Sequence, residues 1–346
     1  MREFDVIIIG GGPAGSMCGC LLKKAGKNCL LVDHATFPRD KICGGGLTAK
    51  SWRLLEKLLP DFNYEFFGQR RIRLRMNGKP GCEFEAEQEL RIVQRRHFDH
   101  QLLQHYQKLG GVFEKNSFKT ADEQADGRLL VTLSSGEQVV CRYLVGADGS
   151  NSCVRRFLTG KSDRGLLAVE QYSPKTTYDD SGSIVVDLCN CYSDFAYFYC
   201  FPNPEHNVIG YGDYSMSIDK FRQILLERHI PEDKFRGAYI YLSTDYPLRD
   251  HIILIGDAGG FANRLTCEGL YDAFQTAYNA SRAIVDGRPF SETNRDVFAK
   301  LKWQTRLYKF LAYGHGFFVV RLLCHYPKLV KWCFDVKMKR ESFFKL

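Results

Sequence analysis

Apolar residues enter the chain as short unbroken runs that stop at glycine. Phe4 to Ile9, ended by Gly10, predicts a strand buried on both faces, as in a parallel sheet. Pro13 to Gly26 reads as a helix with small residues on one side, and Cys29 to His34 as a second buried strand. The three make a βαβ unit. A helical period then runs from about Arg96 to Leu109 and closes on two glycines. Arg128 to Val140 reads as a hairpin turning at Ser134-Ser135-Gly136, and Cys141 to Gly146 as another apolar strand. From Gly165 to Tyr246 the pattern alternates and is rich in aromatics, with one helical interruption near Asp219 to Arg228. His251 to Gly260 is again a buried strand entering a glycine turn. A helix ends at Gly287, and the remainder from Pro289 reads as mostly helical. The pattern predicts an α/β (α+β) fold. A Rossmann-type domain is assembled from residues 1–65, 91–164 and 248–290. A sheet-rich domain of residues 66–90 and 165–247 is inserted into it, and residues 291–346 form a C-terminal helical region.

Composition changes this picture in two places. The 13 cysteines are scattered through 346 residues without any C-x-x-C pair, so no metal site or disulfide framework is expected; reduced, mostly buried thiols in a cytoplasmic protein are. No signal peptide or transmembrane segment is legible. The net charge of +8 is concentrated at one end. Residues 300–346 hold eleven Lys/Arg against Asp335 and Glu341, a local +9, which leaves −1 for the rest. A body without positive excess excludes a general nucleic-acid binder. The tail joins its charge to Trp303, Tyr308, Phe310, Tyr313, Phe317, Phe318, Tyr326, Trp332, Phe334, Phe343 and Phe344. That mixture suits either peripheral contact with an anionic membrane or packing on the nucleotide domain with solvated lysines.

Three motifs carry chemistry. Gly10-x-Gly12-x-x-Gly15 lies between a strand and a helix, where its glycines permit a tight turn and close approach of a pyrophosphate. Asp33 ends the second strand and is placed to accept from a ribose with a free 2′-hydroxyl, as in FAD or NAD. Gly146 to Arg155 (GADGSNSCVR) and Ile255 to Gly260 (IGDAGG) are strand ends in small-residue turns, and Asp257 is placed for a ribityl hydroxyl.

The trio resembles the flavoprotein hydroxylase superfamily, and two further stretches resemble the geranylgeranyl reductase family within it. One is Pro38 to Leu47, PRDKICGGGL. The other is Tyr197-Phe198-Tyr199-Cys200-Phe201-Pro202, followed by Gly210-Tyr211-Gly212. The resemblance implies FAD held by Gly10, Gly12, Pro13, Ala14, Gly15, Asp33, Cys43, Gly44, Gly45, Gly46, Arg95, Asp257, Gly269 and Leu270. It implies a sheet domain roofing the flavin, with Tyr197, Tyr199, Phe201, Pro202, Gly210 and Gly212 lining the substrate site. The three glycines after Cys43 would let the chain approach the flavin ring. Three residues depart from the family pattern: Tyr199 stands for a tryptophan, Arg264 for a proline and Cys267 for a glycine.

The implied activity is reduction of C=C bonds in an isoprenoid or lipid-like substrate, with Cys43 as the catalytic candidate. An aromatic or quinone-type monooxygenase is the alternative, and an electron-transfer flavoprotein without its own organic substrate is the second. None of the three tryptophans forms the W-x-W-x-I-P run of tryptophan halogenases. The electron donor stays open among NAD(P)H, ferredoxin and flavodoxin.

Overall fold

A computed structural model describes residues 1–162, 165–176, 178, 182–192, 196–313 and 316–339. His315, Phe343 and Phe344 lie outside them. The elements begin with β1 (Arg2–Ile9), α1 (Pro13–Lys24), β2 (Cys29–Asp33), β3 (Gly46–Leu47), α2 (Ala49–Leu58), β4 (Phe67–Met76), β5 (Lys79–Ile92) and α3 (Arg95–Lys108). Then follow β6 (Val112–Lys115), β7 (Phe118–Glu123), β8 (Leu129–Leu133), β9 (Gln138–Gly146), α4 (Cys153–Thr159), β10 (Leu166–Ser173), β11 (Ile184–Cys189), β12 (Ala196–Pro202), β13 (Asn207–Asp213) and α5 (Ile218–Glu227). The chain continues through β14 (Arg236–Ile240), β15 (Ile252–Leu254), α6 (Leu270–Asp286), α7 (Phe290–Thr293), α8 (Arg295–Tyr313), α9 (Gly316–Leu323) and α10 (Pro327–Lys339).

Among the described residues two sheets form. One orders its strands β6-β2-β1-β9-β8-β7, with β15 beside the far end of β9. Its centre is parallel: Ile7 pairs with Leu30 of β2 and Leu144 of β9. Val6 to Ile9 and all of β2 are buried, which explains why these strands read as continuous apolar runs. Helix α1 packs on α3 and α6. It does so through its small residues: a Cβ on Gly19 would lie 2.7 Å from the Tyr106 ring, whose hydroxyl donates to the Cys29 carbonyl at 2.8 Å.

The second sheet orders its strands β14-β10-β13-β12-β11-β4-β5-β3. It is antiparallel except where β11 meets β4 in parallel. Helices α9 and α10 cover its β4–β5 end: Phe334 meets Phe84 edge-on at 5.3 Å and Cys324 is buried in the same cluster. The tail therefore packs in two places: Val297 and Leu301 of α8 join the core around α1 and α6, the packing on the nucleotide domain that the sequence offered, while α9 and α10 cover the second sheet. Its aromatics divide. Tyr308 and Phe334 turn inward, whereas Phe310, Phe318, Tyr326 and Trp332 are exposed.

Candidate functional site

Where β1 enters α1, Gly10 adopts φ +110°, and a Cβ there would strike the Ala147 carbonyl at the end of β9. A Cβ on Gly15 would fall inside the Gly10 carbonyl oxygen. Helix α1 begins with Pro13 behind Gly12, with no capping side chain and no acid in its first turn. Its N–H groups and positive dipole end are left for an anion. Asp33 accepts from the Gly11 N–H at 2.7 Å and the Ala35 N–H at 2.8 Å. A carboxylate has about four acceptor sites, so capacity for a ribose remains. Beside the turn, Arg95 forks onto buried Asp99 (2.7 and 2.9 Å) and Arg39 lies 3.7 Å from the same carboxylate. Burial opposes the Arg95 charge, but Asp99 and Cys43 hold it charged. The Arg39 guanidinium is 3.4 Å from where a Gly12 side chain would begin. Arg39 was not singled out from sequence, although it lies in the quoted PRDK run.

The second and third motifs interlock. Asp148 accepts from the Ser152 hydroxyl (2.5 Å) and the Cys153 N–H (2.6 Å), which holds Ser152 as the N-cap of α4, where its hydroxyl oxygen accepts from the Arg155 N–H at 2.9 Å. Buried Arg155 donates to the Ser150 carbonyl (2.5 Å) and the Ala258 carbonyl (2.9 Å) and stacks 3.6 Å over Tyr241. It ties the two turns together and so places half-buried Asp257 next to Gly269, the bare N-cap of α6 that precedes Leu270. Two uncapped helix N-termini and a glycine cradle fit a dinucleotide's pyrophosphate and its attached ring system.

The Cys43 loop and the aromatic strand meet. Tyr197, Tyr199 and Phe201 share one face of β12, with successive centroids 6.0 and 5.3 Å apart. A Cβ on Gly44 would fall on the Phe201 ring; Gly45 adopts φ +73° against the Val93 carbonyl; a Cβ on Gly46 meets nothing within 4 Å. The three glycines thus have different reasons, and among them only Gly46 faces open space. Pro202 is buried at the end of β12 and pairs with Asn207. Gly210 lies between Tyr199 and Glu170 in the sheet register. A side chain there would strike the Tyr199 phenol, whose hydroxyl donates to Glu170 Oε2 at 3.0 Å. Glu170 Oε1 accepts from the Cys43 N–H at 3.2 Å. Gly212 lets β13 close on β10, where a Cβ would be 2.9 Å from Ala168. Burial pushes the Glu170 carboxyl up, against the opposing pull of the Tyr199 hydroxyl and the Cys43 N–H.

The turn from Asn263 to Gly269 holds the remaining departures. Arg264 lies between the rings of Tyr308 (5.3 Å) and Tyr214 (5.9 Å), which links the turn to α8. Cys267 adopts φ +48°, a conformation that favours the glycine it replaces. Burial pushes its thiol up to about 12. Glu268 is buried. Burial would raise its carboxyl, but Lys50 at 2.8 Å overrides this and pulls it down to about 2. Thr48 and Ser51 also donate to it.

Residues 3–165 match the FAD binding domain family. A menaquinone reductase of Mycobacterium tuberculosis is 28% identical over 99% of this chain and 89% of its own. A chloroplastic geranylgeranyl diphosphate reductase of Arabidopsis thaliana is 24% identical over 83% and 66%. Among solved structures, a geranylgeranyl bacteriochlorophyll reductase-like protein of Thermoplasma acidophilum superposes with a TM-score of 0.70 at 17% identity, covering 99% and 92%. At that identity it shows the fold alone, and a flavin-dependent halogenase has the same fold. With the domain match, these named relatives and a cradle that fits the cofactor, the chain carries an FAD-binding domain and is similar to FAD-dependent oxidoreductases, geranylgeranyl and menaquinone reductases among them.

Proposed function

We propose that the protein reduces C=C bonds of an isoprenoid or other lipid-like substrate. The observation that carries this reading is the junction of the Cys43–Gly46 loop with the Tyr197–Tyr199–Phe201 face. Reduced FAD supplies a hydride when bound. The chain must do the rest: hold an apolar chain, exclude water and bring a proton to the second carbon. The aromatic face suits an alkene and stabilises developing positive charge by roughly 0.5–2 kcal/mol. Half-buried Cys43 is the acid in this reading, and Arg95 and Arg39 hold the pyrophosphate. Dithionite-reduced holoprotein mixed anaerobically with a polyprenyl lipid is expected to reoxidise as saturated product accumulates, followed by absorbance and mass spectrometry. Cys43→Ala should keep FAD and slow this step at least tenfold, as removal of a positioned acid does. Absence of both signals would end the reductase reading for such lipids. Substrate-dependent oxygen consumption with NAD(P)H would move it to the monooxygenase class.

The same reading sets the tail against an anionic membrane, the source of such a substrate. No Asp or Glu occurs from Val297 to Phe334, while Lys302, Arg306, Lys309, Arg321 and Lys328 are exposed beside Trp303, Phe310, Phe318 and Trp332. Among the described residues no helix is long and apolar enough to cross a membrane. Each basic residue near such a surface contributes about 1 kcal/mol. Co-sedimentation with anionic vesicles should fall sharply on changing Lys302, Arg306 and Lys309 to glutamate, and in high salt. Salt-insensitive binding by the triple variant would contradict this placement.

A further inference from the structure

The deeply placed arginines around the flavin turns and the sheet are met by oxygen. Arg95 forks onto Asp99, Arg155 reaches the Ser150 and Ala258 carbonyls, and Arg228 pairs with Asp187. Arg264 is not. Its Nε is buried without a partner, and among the described residues no hydrogen bond or ion pair ties its guanidinium to the protein. The residue is half-buried, so the charge is neither paired nor in open water. Two rings hold it instead, Tyr308 of α8 and Tyr214 just beyond β13. Rings stabilise the cation but offer no lone pairs to its N–H donors. Those donors form a planar fork that matches the oxygens of a phosphate or carboxylate.

The turn beneath is fixed without this side chain. Asn263 Oδ1 accepts from the Leu265 N–H (2.9 Å) and the Thr266 N–H (3.2 Å), and the Cys267 N–H donates to the Asn263 carbonyl at 2.8 Å. The same turn grips the aromatic face, because the Tyr197 hydroxyl donates to the Thr266 carbonyl at 2.5 Å. The Thr266 hydroxyl is itself buried without a partner. Arg264 thus stands where the flavin turn, the sheet bearing Tyr197, Tyr199 and Phe201, and the first long helix of the tail meet. We propose that Arg264 anchors an anionic head, a phosphate or carboxylate, at one end of the lipid-like substrate, whose apolar chain runs from there onto the Tyr197–Tyr199–Phe201 face. The anchor deepens the reductase reading and rests on it for the placement of the chain. It belongs to this sequence in particular, since the proline of the resembling family has no donor to offer at this position.

The test compares a soluble short-chain prenyl phosphate with the matching neutral prenol, using oxidised FAD-loaded protein without vesicles, so that the basic tail has no membrane to meet. Binding is measured by titration calorimetry. Wild type is expected to hold the phosphate about tenfold more tightly than the prenol, or better, as a charge-assisted fork does. In Arg264→Met that preference should fall to about one, and in Arg264→Lys, which keeps the charge without the fork, it should lie between. Flavin content and melting temperature identify a variant that has simply misfolded, and Arg264→Lys then carries the test. With reduced flavin, the loss for the phosphate should appear in KM rather than kcat, because the head lies away from the reacting bond. Inorganic phosphate is the third arm. Weak competition with the prenyl phosphate supports an anchor for a head, whereas binding as tight as the prenyl phosphate means a free-anion site and overturns the proposal. No binding of the prenyl phosphate, or the same preference in wild type and Arg264→Met, also overturns it. So does a shifted flavin midpoint potential with the preference unchanged, which would make Arg264 a flavin residue. Binding is read without turnover, so a protein that binds the phosphate through Arg264 but reduces neither compound ends the reductase reading and leaves the anchor standing.

Discussion

Replacing Gly15 with alanine is expected to give a protein that folds but no longer retains FAD. The added Cβ falls inside the Gly10 carbonyl oxygen and lies 3.2 Å from the Ala147 Cβ. Both are part of the packed junction of β1, β9 and α1, so no flexible side chain can yield. Overpacking of this kind costs about 1–3 kcal/mol, occasionally more. The strain is relieved by moving the start of α1 away from Gly10, and that helix N-terminus is the group a pyrophosphate needs. Flavin released on denaturation, measured per mole of purified protein, should therefore drop to a small fraction of wild type. Gly26→Ala is the control. Gly26 also has positive φ (+76°), but a Cβ there meets nothing within 4 Å. It should cost about 1–2 kcal/mol of stability and leave the flavin content intact. Stoichiometric FAD in Gly15→Ala would show that the packed turn does not set the cofactor site.

What the sequence made legible was local. Strands buried on both faces announce themselves as unbroken apolar runs, and glycine fingerprints lie between a strand and a helix with no long-range partner needed. Elements with weaker patterns escaped. The short edge strand β6 mixes Val112 and Phe113 with Glu114 and Lys115, and α2 directly follows the glycine run without a clear start. The site was legible as two motifs but not as their junction. Gly44 was visible as bare backbone, while its reason, the Phe201 ring, is 157 positions away. Glu170 carries no motif; its neighbours follow from the register that sets Tyr199, Gly210, Glu170 and Arg236 in one row across four strands. Arg264 stood out as a departure, but only the fold shows it lying between Tyr308 and Tyr214.

Lys50→Met is expected to cause a large loss of stability at the Asn263–Gly269 turn. The side chains of Lys50 and Glu268 are 8% and 9% exposed, 2.8 Å apart, and lie 218 positions apart in sequence. Their pairing does not have to stabilise the fold relative to two apolar residues, because desolvation offsets most of the attraction. Removing one partner is different: it leaves a buried carboxylate with neutral donors from Thr48 and Ser51, and costs about 3–5 kcal/mol. Adding Glu268→Gln to Lys50→Met should recover much of this, and thermal unfolding of the four proteins of the cycle measures the coupling. The pH dependence gives a second reading. Glu268 binds its proton less readily in the fold (about 2) than in the unfolded chain (4.5), so its contribution is complete above 4.5 and is lost as pH falls toward 2. Lys337 shows the opposite sense. Burial first, and then repulsion from Lys50, push it down to about 8 from 10.5, so stability rises with pH across that interval. In Lys50→Met the repulsion is gone and Glu268 needs a new counter-charge, so Lys337 should titrate higher and its alkaline gain should shrink. A variant with unchanged melting temperature and an unchanged alkaline limb would show that Glu268 is solvated and that the turn beneath α6 does not depend on this pair.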